Sequence, residues 1–397
     1  MERIFIIFIT IYGILALLHI ILQIIFGHLS YRRQMSEKFQ MDNTAKQDKF
    51  VTVSVPAYNE EPEILKACID SIVAQNVQLE VIVVDDCSTN IDELNEKVYS
   101  QYENEPRVKI IKCDENRGKR HVQREAFDIA KGEFIVTVDS DTILHDENAI
   151  EKLISYFKTE NIGAVTGFVA VENMKQNFLT RLIGYRYWSA FYQERAAQSF
   201  WWNIMCCSGP FSAYRKSIIE QIKDDYTSQM FLGEKCTYGD DRHLTNLVLA
   251  AGWKVSFNQT AEAHTIVPET LGKYVKQQVR WNKSFYREML WTLKFVTQKP
   301  WYIGYELLMD FILPFLLTIS LFVMLGETII NHHWSFLISY VIVLVLVALV
   351  RSAYGIYRTR DFGFASFAVY GFMHVLILLP VRFYALCTMK STKWGTR

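Results

Sequence analysis

The apolar residues of this chain are gathered into long runs, and that gathering limits its architecture more than any other feature. Hydrophobic residues make up 50% of the 397 positions. Ile4 to Phe26 is an almost unbroken apolar stretch of roughly the 20 residues that a helix needs to cross a bilayer. It is too long for an ordinary signal peptide and lacks a small-residue cleavage site. Tyr302 to Leu325 and Phe336 to Val350 are two more candidate spans, joined by a loop without Lys or Arg. A chain of this length ordinarily makes two or more domains; here a large share of it belongs to a membrane.

Arg32 and Arg33 follow the first run at once, and positive charge beside a span marks its cytoplasmic end. Everything up to Pro300 is therefore expected in the cytosol, and Arg351, Arg358 and Arg360 bring the chain back there after the third run. Ala365 to Cys387 is long and apolar but carries His374, Pro380 and Arg382. A crossing would strand Lys390, Lys393 and Arg397 on the disfavoured side. An interfacial or re-entrant course, with a cytosolic C-terminus, is the expectation.

The formal net charge is zero, so no global field recruits nucleic acid. Seven cysteines, odd in number and without CxxC or metal-finger spacing, argue against a disulfide framework and fit a reducing cytosol.

Between the first run and Pro300 the pattern is that of an α/β domain. Phe50 to Val55, Val81 to Val84, Val108 to Ile111 and Phe134 to Val138 read as short strands. Glu63 to Val73 places Ile64, Leu65, Cys68, Ile69 and Ile72 at helical spacing, and a further helix is expected from Lys119 to Ala130. Strand, helix, strand implies a parallel unit, and open parallel sheets bind ligands beyond the carboxyl ends of their strands. Tyr58, Asn59, Glu60, Asp85, Asp86, Asp139 and Asp141 all fall there.

Each candidate has a plain alternative. Asp85 and Asp86 suit a turn cap before Ser88 as well as a ligand. In Asp139-Ser140-Asp141 the first and third side chains share a face. One can address a ribose or uracil while the other holds a hard divalent cation that clamps a diphosphate. Gly118, Lys119, Arg120 and His121 form a basic knot at a helix start, suited to a phosphate or simply to solvent. Asp240 and Asp241 open a helix and answer to its dipole, yet they also offer a carboxylate base for an acceptor hydroxyl. Thr180 to Trp202 and Lys273 to Trp291 carry aromatic and basic residues at helical spacing. Such faces serve core packing, the headgroup layer or stacking on sugars.

Taken together, Asp85-Asp86, Val138-Asp-Ser-Asp141, Cys207-Ser-Gly-Pro210, Gly239-Asp-Asp-Arg-His-Leu-Thr-Asn246, Gln277-Gln-Val-Arg-Trp-Asn-Lys-Ser-Phe-Tyr-Arg-Glu288 and Trp394-Gly-Thr-Arg397 resemble the processive family 2 glycosyltransferases. Among these the likeness is to class I hyaluronan synthases, over nearly the whole chain from Val51. The resemblance implies an α/β fold: a GT-A domain, a mostly parallel sheet flanked by helices, inserted between transmembrane and interfacial helices. It implies inverting polymerisation of UDP-GlcNAc and UDP-GlcA into hyaluronan, with Mg2+ or Mn2+ as cofactor, and secretion through the membrane region. The implied partners are these donors, the growing polysaccharide chain and the lipid bilayer, with a homo-oligomer left open.

Carried over onto this sequence, the resemblance puts Tyr58, Glu60, Asp86, Lys119, Arg120 and Asp139 on the UDP-sugar, with Asp86 at the uridine. Asp139 and Asp141 would hold the metal. Asp241, beside Asp240, would be the general base, and Gln277, Arg280 and Trp281 would hold the pyrophosphate and acceptor sugar. Cys207, Ser208, Gly209 and Pro210 would line the acceptor site with Trp281, while Trp394 and Arg397 would close over bound nucleotide. The chain then divides into a membrane helix (1–33), a cytosolic catalytic domain (45–265, with 178–202 interfacial), an interfacial helix region (266–300), two transmembrane helices (301–351), an interfacial or re-entrant segment (352–388) and a tail (389–397).

One apolar run precedes the catalytic domain where streptococcal hyaluronan synthases have two. That start, with Glu194-Arg-Ala-Ala-Gln198 and Met205-Cys-Cys207, is also similar to the nodulation chitooligosaccharide synthases, which use UDP-GlcNAc. Asn282 to Glu288 and the Trp-Gly-Thr-Arg tail favour hyaluronan. A non-catalytic glycan-binding or export component would show a broken acid set, whereas every acid named above is present.

Overall fold

The computed structural model describes residues 2–38 and 49–391. Val51–Ala57 (β1) is buried at every position, as a strand must be when helices cover both faces of its sheet. The helix Pro62–Val73 buries Leu65, Cys68, Ile69 and Ile72, the stripe that the apolar spacing predicts.

In chain order the long apolar helix α1 (Glu2–Lys38) precedes β1, α2 (Pro62–Val73), β2 (Leu79–Asp85), α3 (Ile91–Lys97), β3 (Val108–Lys112), α4 (Lys119–Ile129) and β4 (Phe134–Thr137). Next come β5 (Thr142–Ile143), α5 (Ala149–Ile154), β6 (Ile162–Val171), α6 (Phe178–Ser189), a π-helical stretch Ala190–Arg195, α7 (Ala196–Phe200), β7 (Ser212–Arg215) and α8 (Lys216–Thr227). A small hairpin, β8 (Met230–Phe231) and β9 (Glu234–Lys235), leads to α9 (Asp240–Ala250), β10 (Lys254–Thr265) and α10 (Leu271–Thr292). One eight-stranded sheet has the order β3-β2-β1-β4-β7-β6-β10-β5. The pairs of β1 with β2 and β4, of β2 with β3 and of β6 with β10 are parallel. β7 and β5 run antiparallel to their neighbours. The ends of β2, β1 and β4 are thus adjacent in space, which gathers the residues that follow them.

α11 (Trp301–Ile329) and α12 (Trp334–Thr359) follow, and the last apolar segment is composite: a tight turn Phe362–Ser366, α13 (Phe367–Met373), a π-helical stretch His374–Leu378 and α14 (Leu379–Cys387). The irregularity falls just before Pro380, which lacks a donor and crowds the preceding turn; a π stretch absorbs that misfit. Among the described residues four helical segments are long and apolar enough to cross a membrane, including Phe362–Cys387. Ile9, Tyr12 and Ala16 of α1 pack with Leu317 and Met324 of α11, Tyr340 and Leu344 of α12, and Val375 and Leu379. Ile14, Ile21, Phe322, Ile338 and Leu346 point outward and are exposed, an apolar surface too extensive for water.

α1 continues well past the expected end of its apolar run, and its last turns belong to the catalytic domain. Arg33 donates to the carbonyls of Ser199 at 2.9 Å and Phe200 at 3.1 Å and lies 4.2 Å from the Trp202 ring centre. Gln34 donates to the Phe257 carbonyl at 2.5 Å and accepts from the Gln259 amide at 3.1 Å. The final segment also touches that domain at both ends. Asp361 accepts from the Tyr185 hydroxyl at 3.0 Å, Tyr370 and Tyr274 join hydroxyls at 2.9 Å, and the Ser391 carbonyl accepts from the Tyr238 hydroxyl at 2.6 Å. Trp394 and Arg397 lie outside the described residues.

Candidate active site

Tyr58, Asp86 and Asp139 stand just beyond the ends of β1, β2 and β4, side by side because those strands are neighbours. The two acids at the end of β2 differ sharply in duty. Asp85 is fully buried and accepts from the Ser88 amide and hydroxyl, both at 2.8 Å, and from the Tyr99 hydroxyl at 2.7 Å. It is the turn cap. Asp86 accepts from the amides of Arg117 at 2.7 Å and Gly118 at 2.9 Å. Burial holds its carboxyl above the ordinary range against the pull of those donors. The amides before α4 that sequence reasoning offered to a phosphate are therefore occupied by Asp86, which shapes the loop carrying Lys119.

Lys119 is the hub. Its Nζ lies 2.6 Å from Asp139 Oδ1 and 3.1 Å from Asp240 Oδ2, so one ammonium joins the strand-end motif to the acids of α9. Burial works against its charge, but Asp139, Asp240 and Asp241 overcome that and hold its pKa well above the ordinary lysine range. Gly209 explains part of the fit: a Cβ there would sit 3.2 Å from Nζ and 3.4 Å from Asp139 Oδ2. A side chain at 209 would press on the pair.

The adjacent acids of α9 are driven apart. Burial would raise Asp240, but the charges of Lys119 and Arg120 prevail and hold it below the usual carboxylate range. Burial, and then the charge of Asp240, push Asp241 upward. Such a split sets one carboxylate as a fixed charge and the other as a base. Asp241 accepts from the Arg242 amide at 2.7 Å and the Cys206 thiol at 3.6 Å. Gly239 permits this start of α9 on two grounds. Its φ is +80°, and a Cβ would fall 1.9 Å from Ser284 Oγ of α10.

Arg120 differs from its expected place on the donor. It is buried, and it donates to the carbonyls of Tyr226 at 3.3 Å and Tyr238 at 3.2 Å; it braces the loop before Asp240. Glu60 accepts from Ser140 at 2.9 Å, inside the acid motif. Asp141 accepts from the hydroxyls of Thr265 at 3.2 Å and Thr142 at 3.4 Å. Thr265 lies 124 residues away on β10, and no local pattern announced it.

The Cys207 amide donates to Thr245 at 2.8 Å and the Ser208 amide to Thr166 at 3.1 Å, which pins the Cys-Ser-Gly-Pro turn against α9 and β6. Trp281 is 43% exposed, with its ring 6.2 Å from that of Tyr187. Burial and the nearby Asp141 charge push the Tyr187 hydroxyl above its ordinary range. Tyr187 was legible only as one ring of an aromatic stripe; the others, including Tyr185, Trp188 and Phe191, serve packing against Phe364 and Phe168. Gln277 is partly buried, with Oε1 lacking a partner among the described residues, and Arg280 lies close enough to Tyr238 to act on it electrostatically.

Residues 52–223 match the family model described as glycosyl transferase family 2. The chain is 36% identical to a hyaluronan synthase of Streptococcus pyogenes, over 88% of its own length and 84% of that relative. The chain belongs to glycosyl transferase family 2. An N-acetylglucosaminyltransferase of Azorhizobium caulinodans is likewise 36% identical to this glycosyltransferase, over 87% of each chain. A mannosyltransferase of Pyrobaculum calidifontis, solved in complex with GDP-Man and Mn2+, matches at TM-score 0.58 and 19% identity, covering 92% of this chain and 99% of that one. The fold is GT-A, as the motifs implied, with apolar helices before and after it.

Lys119→Met in this glycosyltransferase leaves three acids without their shared cation, and an uncompensated buried charge costs about 3–5 kcal/mol. Asp241 also loses a charge that lowers its pKa. A base works deprotonated, so the acid limb of the residual pH–rate profile should move to higher pH. A lower rate with an unmoved limb would show that Lys119 does not govern Asp241.

Proposed function

We propose that the protein is a membrane-embedded, processive, inverting transferase that polymerises UDP-GlcNAc and UDP-GlcA into hyaluronan and secretes it. The observation that carries the catalytic reading is the Lys119 ammonium held between Asp139, of the strand-end motif, and Asp240, beside Asp241. It ties a donor-diphosphate site to a base at one point. Asp241 takes the proton from an acceptor hydroxyl as that oxygen attacks the anomeric carbon, while UDP leaves on the opposite face. Asp240, kept ionised by Lys119 and Arg120, maintains the basicity of Asp241. Trp281 and Tyr187 offer ring faces for the acceptor sugar, with the Cys207 to Pro210 turn as its floor. Gln277 and Arg280 serve the pyrophosphate, and Trp394 and Arg397 close over the bound nucleotide.

Asp139 and Asp141 are hard oxygen ligands on one strand end. Asp141 is steadied by hydroxyl donors, which leave its charge intact, so the pair suits Mg2+ or Mn2+. When bound, that ion neutralises charge on the departing diphosphate. Asp141→Ala should remove the cation-dependent part of UDP affinity. Equal UDP affinities of that variant and the native enzyme by calorimetry, each measured with and without Mn2+, would exclude Asp141 as a ligand.

Equal identity to an N-acetylglucosaminyltransferase favours a second reading, a chitin-type product from UDP-GlcNAc alone. Membranes supplied with the two donors singly and together separate them: high-mass product only with both means hyaluronan. In the same assay Asp241→Asn should lose about 10²- to 10⁴-fold in rate while still binding UDP. Near-native polymerisation would remove Asp241 from its role.

Asp361 and Ser391, which flank the Phe362–Cys387 segment, both bond to the catalytic domain, which supports an interfacial or re-entrant course and, with Arg32 and Arg33 in the last turns of α1, a cytosolic domain and tail. A cysteine added after Arg397, in a background of unreactive native cysteines, should resist an impermeant maleimide in intact cells. Labelling without permeabilisation would overturn this topology.

A further inference from the structure

At the edge of the sheet farthest from β3, three side chains converge from separate parts of the chain. His145 follows β5, Glu172 follows β6, and His264 lies near the end of β10. Register brings them together: His264 pairs with Ile143 on one side and Ala170 on the other, and the Glu172 amide donates to the Thr265 carbonyl at 2.9 Å. Glu172 Oε2 lies 2.8 Å from His145 Nε2 and 3.2 Å from His264 Nδ1. The His145 and His264 rings meet at 4.5 Å, and the ligand atoms of all three residues lie within 4.8 Å of one another.

We propose that His145, Glu172 and His264 form a binding site for a first-row transition ion such as Zn2+, separate from Asp139 and Asp141. Two imidazoles and one carboxylate are a borderline-soft set, which suits Zn2+ and disfavours Mg2+. Glu262 supplies the supporting contact: its carboxylate lies 3.1 Å from His264 Nε2, on the same strand face two residues away. A histidine that gives its second ring N–H to a carboxylate presents the other nitrogen bare to a metal. With Nε2 donating, Nδ1 and the Glu172 oxygen would be two acceptors facing each other across 3.2 Å; a cation between them resolves that contact. Asp146 pairs with Lys152 alongside, so the surrounding carboxylates outnumber the ammonium, as a divalent ion requires.

The three ligands are open to solvent, with side-chain exposures of 52%, 36% and 26% for His145, Glu172 and His264, so the ion has an entry path. Ligation would cross-link β5, β6 and β10 beside Thr142 and Thr265, the two hydroxyl donors to Asp141. The site is thus placed to stiffen the strand end that carries the donor-site acid.

The test uses the full-length protein in detergent, with Zn2+ alone in calorimetry and with Co2+ for its visible absorption band. The native chain and Asp141→Asn should both bind at this site and show the band expected of a nitrogen-containing ligand set. His145→Gln and His264→Gln should lose the band, and Glu262→Gln should weaken affinity about 10- to 100-fold. Equal melting temperatures without metal show that these surface variants fold. Absence of Zn2+ binding, persistence of the band in the His145→Gln/His264→Gln double variant, or its loss in Asp141→Asn would overturn the proposal.

Discussion

The catalytic half of the molecule depends on one partly buried cation, Lys119. Lys119 gathers Asp139 and Asp240 within 3.1 Å, and those acids come from distant parts of the domain sequence, one after β4 and one at the start of α9. Much of the surrounding structure places that ammonium. Asp86 holds the loop before α4 through two amides, Gly209 keeps its flank clear, and Arg120, the next residue, braces the approach to Asp240. A charge so surrounded persists in a partly dry site only because its partners share its burial, and that same burial separates the two acids of α9 in basicity.

The second dependency is mechanical. The catalytic domain is bonded to its apolar helices rather than tethered to them. Arg33 and Gln34 fasten the end of α1 to α7 and β10. Glu194, in the π-helical stretch, reaches Arg186 at 2.9 Å and Arg351 of α12 at 3.5 Å, while Gln198 donates to Glu306 of α11 at 2.5 Å. The Glu194-Arg-Ala-Ala-Gln198 string, which is similar to the nodulation chitooligosaccharide synthases, is thus the seam between the two halves. Glu288 has a comparable structural duty. It is buried and bonded to His243, Asn246 and Gln229, which locks α10 onto α9.

Residue type and spacing could not divide Asp85 from Asp86, nor Lys119 from Arg120. Adjacent residues after a strand or at a helix start point in different directions, and which one meets the core depends on packing from elsewhere. Asp85 turned inward to Ser88 and Tyr99, while Arg120 turned to the carbonyls of Tyr226 and Tyr238, more than a hundred residues on. Long strings were different. The apolar spacing of α2, the strand runs and the long apolar helices were legible because each is decided by composition and periodicity within one element. The segment boundaries were less so: α1 extends to Lys38 because the catalytic domain, absent from any local window, satisfies its last turns.

By itself the sequence determined the α/β class, the long apolar runs and the order of the acid motifs, because composition and period are local properties of the chain. The tertiary structure alone decided that Lys119 bridges two of those motifs, that Asp85 is a cap, and that Thr265 steadies Asp141. It also decided that His145, Glu172 and His264 meet at a sheet edge. These are contacts between residues far apart in the chain, made by strand order and register, and no spacing along the chain encodes which side chains a sheet will set side by side.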